Sequence, residues 1–213
     1  MGAIERFRQA LAGRGIEPAA INQIVAGYER VTDRSSKEKK AEFLTAAVQR
    51  MDELLPEDQR HEVRDACACS KGGRRLKAME AIAWEYAGQS LGARLEAVRQ
   101  VTYMGDPVLN DYGTITAGIG REGGFPYPCP VFSGPSPVGP VSLTYCYCCA
   151  GHFRFHCQIA LGRPLVTKAV LSSSLESDAT RPCRFVYEIV GEESHTLISG
   201  GHGRPVRDRC RCR

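Results

Sequence analysis

The first hundred residues repeat apolar side chains every three or four positions, the spacing that places them on one face of an α-helix. Helix starts are marked by Pro18, by Ser35 with Glu38 as a capping box, and by Pro56. The apolar stripes are Ile4, Phe7 and Leu11; Ile21, Ile24, Val25 and Tyr28; Leu44, Val48, Met51 and Leu55; Leu76, Met79, Ile82, Ala83 and Tyr86; and Leu91, Leu95 and Val98. This half of the chain is therefore predicted to be helical.

After Val101 the pattern changes to short β-type runs among frequent glycines and prolines. The runs TITAGI, LVTKAVLSSSL and CRFVYEIV predict strands, the last two as a pair, and VTYM and residues 141–147 predict two more. Residues 150–161 are predicted to form a helix that stops at Gly162. The prolines of segment 125–140 are typical of a surface loop.

These patterns predict an α+β protein, in which a helical N-terminal half packs on a small antiparallel sheet with one prominent C-terminal helix. Residues 1–100 are expected to form the helical region, and residues 101–200 an α+β, cysteine-rich region that binds metal and ligand. Residues 201–213 are expected to form a basic, flexible tail.

The distribution of charge argues against nucleic acid and membrane as partners. The net charge is +4, and the last eleven residues, GRPVRDRCRCR, hold five arginines and one aspartate, so the rest of the chain is formally neutral. A nucleic-acid-binding protein usually carries a basic face on its folded body. No apolar run approaches the ~20 residues of a membrane helix, and the charged start shows no secretion signal. We therefore expect a cytoplasmic protein.

Ten cysteines in such a chain favour thiols that stay free for metal binding or chemistry in a reducing compartment. A secreted protein with five disulfides is the alternative. The crowding of cysteines within DACACSKGG and YCYCCAGHFRFHC, residues 65–73 and 145–157, suits a metal site better than long-range bridges.

The two cysteine-rich segments supply donors suited to zinc or an iron–sulfur cluster. A strand through Tyr145 would place Cys146 and Cys148 on one face, and a helix from Cys149 would align Cys149 with His152. The site is expected where the 67–69 turn meets the 146–152 junction. The predicted metal ligands are Cys67, Cys69, Cys129, Cys148, Cys149 and His152. Cys157 and Cys183 are expected to be core thiols, because free cysteine is among the most buried residue types.

The predicted function is a metalloprotein whose thiolate-rich centre faces a small-molecule pocket. As a hydrolase or lyase, an open metal position would act as Lewis acid, with His152 or an unligated Cys146 as proton shuttle or nucleophile. A closed metal site would instead hold together a non-catalytic domain that binds or senses a small molecule.

One resemblance supports the pocket. The order of motifs in "CCAGHFRFHCQIALGRPLVTKAVLSSSLES" and "PCRFVYEI" resembles the ligand-binding domain of the vinyl reductase type and aminothiazoline-carboxylate hydrolase-like proteins. The whole chain, with its "CAC…GG" and "TYCYCCAGH", resembles a cysteine-rich bacterial family of similar length. The resemblance implies a small-molecule pocket between sheet and helices.

Overall fold

The computed structural model describes residues 1–69, 71–101, 104–119, 129–132 and 139–191. Within these segments the chain forms seven α-helices and a four-stranded sheet, which confirms the predicted α+β class. The helices are α1 (Ala3–Ala12), α2 (Pro18–Val25), α3 (Lys37–Leu54), α4 (Glu57–Ala66), α5 (Gly73–Glu85), α6 (Leu91–Arg99) and α7 (Tyr147–Leu161). None of them combines the length and the apolar character that a membrane-crossing helix needs.

The helices begin close to the predicted positions, with one change of cap. The side chain of Ser36, not Ser35, accepts a hydrogen bond from the Lys39 amide at 3.3 Å and caps α3. Two adjacent serines offer the same cap chemistry, and the helix starts after the second.

All the strands pair antiparallel in the order β1-β2-β4-β3. Alternate residues of β4 are buried, and Phe185 and Tyr187 are fully enclosed. The predicted pair of C-terminal strands is confirmed. The strands are β1 (Val108–Leu109), β2 (Thr114–Ile119), β3 (Leu165–Ser172) and β4 (Cys183–Ile189).

Helix α7 lies between the sheet and the N-terminal helices. On one side Phe153 stacks on Phe185 of β4, with ring centroids 5.8 Å apart, and Tyr187 donates to the Ala150 carbonyl at 3.0 Å. On the other side α7 contacts α4, α5 and α6. Buried residues of both halves of the chain join in one hydrophobic core. Helix α7 is therefore enclosed on both sides, as expected for its largely apolar sequence.

The strand predicted over residues 141–147 is wrong. Residues Leu143–Cys146 form a 3₁₀ helix that leads directly into α7, and the Ser142 side chain accepts from the Thr144 amide at 3.2 Å to cap it. The β-branched and aromatic residues that suggested a strand occupy a single tight turn instead. Cys146 and Cys148 consequently do not share a strand face.

Three other predictions fall wholly or partly beyond the described segments. Only residues 101 and 104 of VTYM are described, and they lie in bends. Of the proline-rich loop, residues 129–132 form a turn and residues 139–140 are also described. The basic tail, residues 201–213, lies outside the description.

Candidate functional site: thiols around a buried arginine

A glycine lets α4 and α7 approach closely. A Cβ atom added to Gly151 would lie 2.8 Å from both the carbonyl oxygen and Oδ1 of Asp65 on α4. Just beyond, Nδ1 of His152 donates to the Cys69 carbonyl oxygen at 2.5 Å. The expected meeting of the 67–69 turn with the 146–152 segment is therefore confirmed.

Arg64 is enclosed at this contact. Its side chain is 2% exposed, and its Nε and Nη2 donate to the Tyr145 carbonyl oxygen at 3.3 and 2.9 Å. The guanidinium carbon lies 4.4 Å from the centre of the Tyr145 ring and 5.7 Å from that of Phe7. A guanidinium keeps its charge at every physiological pH, so this burial requires a compensating negative charge.

The ionisable groups that affect the pKa of Arg64 are mostly thiols. Burial alone would lower the pKa of Arg64, but the charges of Cys148, Cys67, Tyr145 and Cys129, when ionised, outweigh it and raise the pKa. In turn, the charge of Arg64 lowers the pKa of Cys148 and opposes the effect of burial on the pKa of Cys67. The ionisable groups that act most strongly on this cation are therefore thiols.

Cys148 is the thiol of this cluster whose pKa is lowered. The adjacent Cys149 thiol, together with the charges of Arg64 and Arg6, lowers the pKa of Cys148 to about 6 against the opposing effect of burial. The interaction with Cys148, together with burial, raises the pKa of Cys149 well above the usual thiol value. Burial also raises the pKa of Cys67, although Arg64 opposes it, and its thiol donates to the Val63 carbonyl at 3.2 Å. Cys148 is therefore the thiol of this group that loses its proton most readily, and the pKa values of Cys149 and Cys67 are both raised.

Cys129, one of the predicted metal ligands, lies in the turn of residues 129–132 beside this cluster. Its sulfur lies 3.5 Å from the hydroxyl oxygen of Tyr145. Burial raises the pKa of Cys129 to about 11, with the nearby Cys148 adding to the effect. Cys129 is thus a protonated thiol at the edge of the Arg64 cluster.

Cys146 lies apart from this cluster. Its sulfur is 2.8 Å from the Ser173 hydroxyl, and the side chain is buried. Burial and the charge of nearby Cys183 raise its pKa well above the usual value. Nearby, Cys183 makes a similar contact with Ser174 at 3.6 Å. In this setting Cys146 is a protonated core thiol rather than an exposed nucleophile.

His152 has both ring nitrogens engaged. Nε2 accepts from Nη1 of Arg75 at 2.6 Å, while Nδ1 donates to Cys69. Burial lowers the pKa of His152 to about 4, assisted by His156 and Arg75 and opposed by the bond to Cys69. The ring is therefore neutral and ties α5 and the 67–69 turn to α7.

The structure does not bring the predicted metal ligands into an assembled donor group. Among the described residues, no set of three or more histidine, cysteine, aspartate or glutamate side chains is arranged to hold a metal ion. The zinc or iron–sulfur centre stays a prediction. The expected core role of Cys157 and Cys183 is confirmed: both are buried, and burial raises the pKa of Cys157 to about 12.

A separate cleft of about 370 Å³ lies between α4, the start of α7 and β3. The ring of His61 stacks on Tyr147 at its wall, with centroids 3.7 Å apart, and Asp65 pairs with Arg154 at 2.6 Å. Its lining residues are Arg14, Asp58, His61, Glu62, Asp65, Tyr147, Arg154, Leu165, Val166 and Thr167, without a cysteine.

The residue missing from the sequence prediction is Arg64. Its spacing of three positions from Cys67, about one helical turn, is the sequence signal that could have identified it.

Comparison with known proteins identifies no relative, since no protein-family model, curated protein or solved structure matches this chain.

Proposed function

We propose that this chain is a cysteine-dependent enzyme in which the Cys148 thiolate attacks an electrophilic small molecule. The observation that carries the proposal is the buried guanidinium of Arg64, whose strongest ionisable neighbours are thiols. Leaving a buried cation without its counter-charge costs about 3–5 kcal/mol. Arg64 therefore favours a permanent thiolate beside it, and a thiolate is the nucleophilic form of cysteine.

Access supports Cys148 as the reacting group. Cys148 and Cys149 are partly exposed, whereas Cys146, Cys157 and Cys183 are buried. In the reaction, the Cys148 sulfur forms a bond to the electrophilic atom while the leaving group departs with its electron pair. The Cys149 thiol, which follows Cys148 in the chain and has a raised pKa, would donate a proton to that leaving group. A reactive thiolate also needs the reducing conditions of the cytoplasm.

The zinc or iron–sulfur hypothesis uses the same thiols and makes a different demand on them. A metal ion would require several of the cysteines to be deprotonated together. Elemental analysis and an absorption spectrum of anaerobically purified protein distinguish the two hypotheses. Stoichiometric zinc or iron that disappears in Cys148→Ser and Cys67→Ser would support the metal centre and overturn the free thiolate.

The proposal is tested by alkylation of the native protein with iodoacetamide across a pH series, read by peptide mass spectrometry. We expect Cys148 to react with a midpoint near pH 6, and Cys157, which is buried, to stay unmodified. The midpoint is the better readout than the rate at one pH, because a lower pKa also makes a thiolate less nucleophilic.

Arg64→Met is the matched perturbation, since methionine fills similar space without the charge. The Cys148 midpoint should move towards the ordinary thiol value of about 8.5. Arg64→Lys, which keeps a charge but loses the fork of donors, should give an intermediate midpoint. Circular dichroism and thermal melting confirm that each variant folds. A wild-type midpoint near 8.5, or one that Arg64→Met leaves unchanged, overturns the proposal.

A further inference from the structure

We infer that the cleft between α4, the start of α7 and β3 binds a small organic ammonium ion, that is, a protonated amine attached to an apolar body. The volume of the cleft, about 370 Å³, falls in the range of small-molecule sites in proteins. The described residues that line it include no cysteine. The inference therefore concerns a second site and does not rest on the reaction proposed for Cys148.

One carboxylate of the cleft is already neutralised within the protein. Arg154 donates to both carboxylate oxygens of Asp65, from Nε at 3.1 Å and from Nη2 at 2.6 Å, and the Thr167 hydroxyl donates to Oδ1 at 3.3 Å. The third nitrogen of Arg154 donates to the Gln158 side chain at 3.2 Å and to the Leu165 carbonyl at 3.4 Å. These bonds hold α4, α7 and β3 in place, so the walls of the cleft are formed before any ligand arrives.

The charge that remains for a ligand is negative. Asp58 and Glu62 are both exposed, and among the described residues neither carboxylate takes part in an ion pair or hydrogen bond. Their i, i+4 spacing places them side by side on α4, where two like charges destabilise a helix. Arg14, which is also exposed, supplies one positive charge against these two negative ones. His61 adds none at pH 7, because burial lowers its pKa. An ammonium group bound between the two carboxylates would relieve their repulsion.

The other walls suit the apolar body of such a ligand. The ring of His61 stacks on Tyr147 with centroids 3.7 Å apart, and rings of this kind attract cations as well as other flat groups. On the β3 side, Leu165 and Val166 supply aliphatic surface. A bare metal ion would leave these apolar walls unused, and no three donors among the described residues are arranged to hold one. The lining therefore favours an organic cation over an inorganic one.

Isothermal titration calorimetry of the reduced, intact chain tests the inference at pH 7 in low-salt buffer, where exposed charges are least screened. The probe is 2-phenylethylammonium chloride, and its matched controls are 2-phenylethanol and phenylacetate, which keep the ring and lack the positive charge. The ammonium probe should bind roughly tenfold more tightly than either control. The double variant Asp58→Asn/Glu62→Gln should weaken binding of the ammonium probe roughly tenfold.

The matched control variant is Glu80→Gln/Glu85→Gln, which removes the same charge from exposed positions on α5 and should leave the affinity unchanged. Circular dichroism and thermal melting confirm that each variant folds. Nuclear Overhauser contacts between the phenyl protons of the probe and the His61 ring should place the probe in the cleft.

Four results would overturn the inference: no binding of the ammonium probe to folded wild type, equal affinity for 2-phenylethanol, an equal loss of affinity in both double variants, or contacts that omit His61. Tighter binding of phenylacetate would also overturn it, because it would show that Arg14 makes this an anion site. None of these results affects the Cys148 proposal, whose alkylation midpoint is measured at another site.

Discussion

Replacing Gly151 with alanine tests whether the close approach of α4 and α7 builds the thiol site. The new Cβ would lie 2.8 Å from the carbonyl oxygen of Asp65, whereas an ordinary contact begins at 3.4 Å. The obstructing oxygen belongs to the backbone of α4, so it cannot rotate away as a flexible side chain would. The helices must separate, and Arg64 on α4 must then move away from Cys148 on α7.

The magnitude follows from two opposing effects. Alanine in place of glycine stabilises a helix interior by about 1 kcal/mol, and overpacking costs about 1–3 kcal/mol. Gly92 on α6 provides the control, because a Cβ there meets nothing closer than 4.0 Å. Gly92→Ala should therefore show only the stabilising effect of alanine on the helix, and this effect is smaller than in a helix interior because Gly92 lies in the first turn of α6. Gly151→Ala should therefore be less stable than Gly92→Ala by about 1–3 kcal/mol.

The assay is urea denaturation of wild type and both variants, together with the pH midpoint of Cys148 alkylation. A difference of 1 kcal/mol corresponds to roughly 2–4 °C in melting temperature at this chain length, which gives an independent check. The alkylation midpoint should rise in Gly151→Ala and stay at the wild-type value in Gly92→Ala. Equal stability of the two variants with equal midpoints would refute the idea that Gly151 sets the helix contact and the site.

Three further predictions concern other contacts. Asp65→Asn breaks the 2.6 Å ion pair with Arg154, whose side chains are only 22–23% exposed, and should lower the free energy of unfolding by about 1.5–3 kcal/mol. Glu188→Gln breaks the ion pair with Lys168, whose side chains are 46–60% exposed, and should lower it by less than about 0.5 kcal/mol. Urea denaturation measures both changes. Tyr187→Phe removes the buried hydrogen bond to the Ala150 carbonyl and should lower the free energy of unfolding by about 1 kcal/mol, which a lower melting temperature would show. The control Tyr112→Phe, at a side chain that is 96% exposed, should leave the melting temperature unchanged. Folding lowers the pKa of Cys148 to about 6, compared with about 8.5 for a cysteine in the unfolded chain. The Cys148 thiolate therefore stabilises the protein fully at pH values above about 8.5, and this stabilisation is lost as the pH falls towards 6. The difference in unfolding free energy between wild type and Cys148→Ser should shrink from pH 8 to pH 6, and a constant difference would contradict the lowered pKa.

The elements that repeat one pattern over several turns or strand residues could be predicted from the sequence. The N-terminal helices and TITAGI follow local periodicity, which the fold preserves. The structure of residues 141–147 could not be predicted in this way, because a short run of β-type residues is compatible with both a strand and a tight helical turn. The 3₁₀ helix forms here because the segment leads directly into α7. The sheet order, with β4 between β2 and β3, depends on contacts between distant segments, for which the sequence carries no local signal.

The sequence predicted where the cysteine-rich segments meet, but it did not predict that the positive charge of Arg64 is buried there. Clustered cysteines identified the junction of the 67–69 turn with α7, which the His152 contact to Cys69 confirms. Arg64 lies in a helix of predominantly polar residues, where an arginine is normally solvated. Its burial follows from the docking of α7 at Gly151, a contact between residues far apart in the chain.

Arg64 limits how many of the clustered thiols can ionise. One buried guanidinium is compensated by one thiolate, and each additional thiolate in the same enclosure would repel the first. The pKa of Cys148 is lowered to about 6 by Cys149 together with Arg64 and Arg6, whereas the contact with Cys148 and burial raise the pKa of Cys149, and burial and the nearby Cys148 raise that of Cys129. A divalent metal among the same sulfurs would reverse that balance, because it binds deprotonated thiols and would favour several at once. Counting thiolates by their ultraviolet absorbance at neutral pH therefore tests the arginine-paired site directly. One thiolate that is lost in Cys148→Ser supports it, and two or more thiolates in the cluster would contradict it.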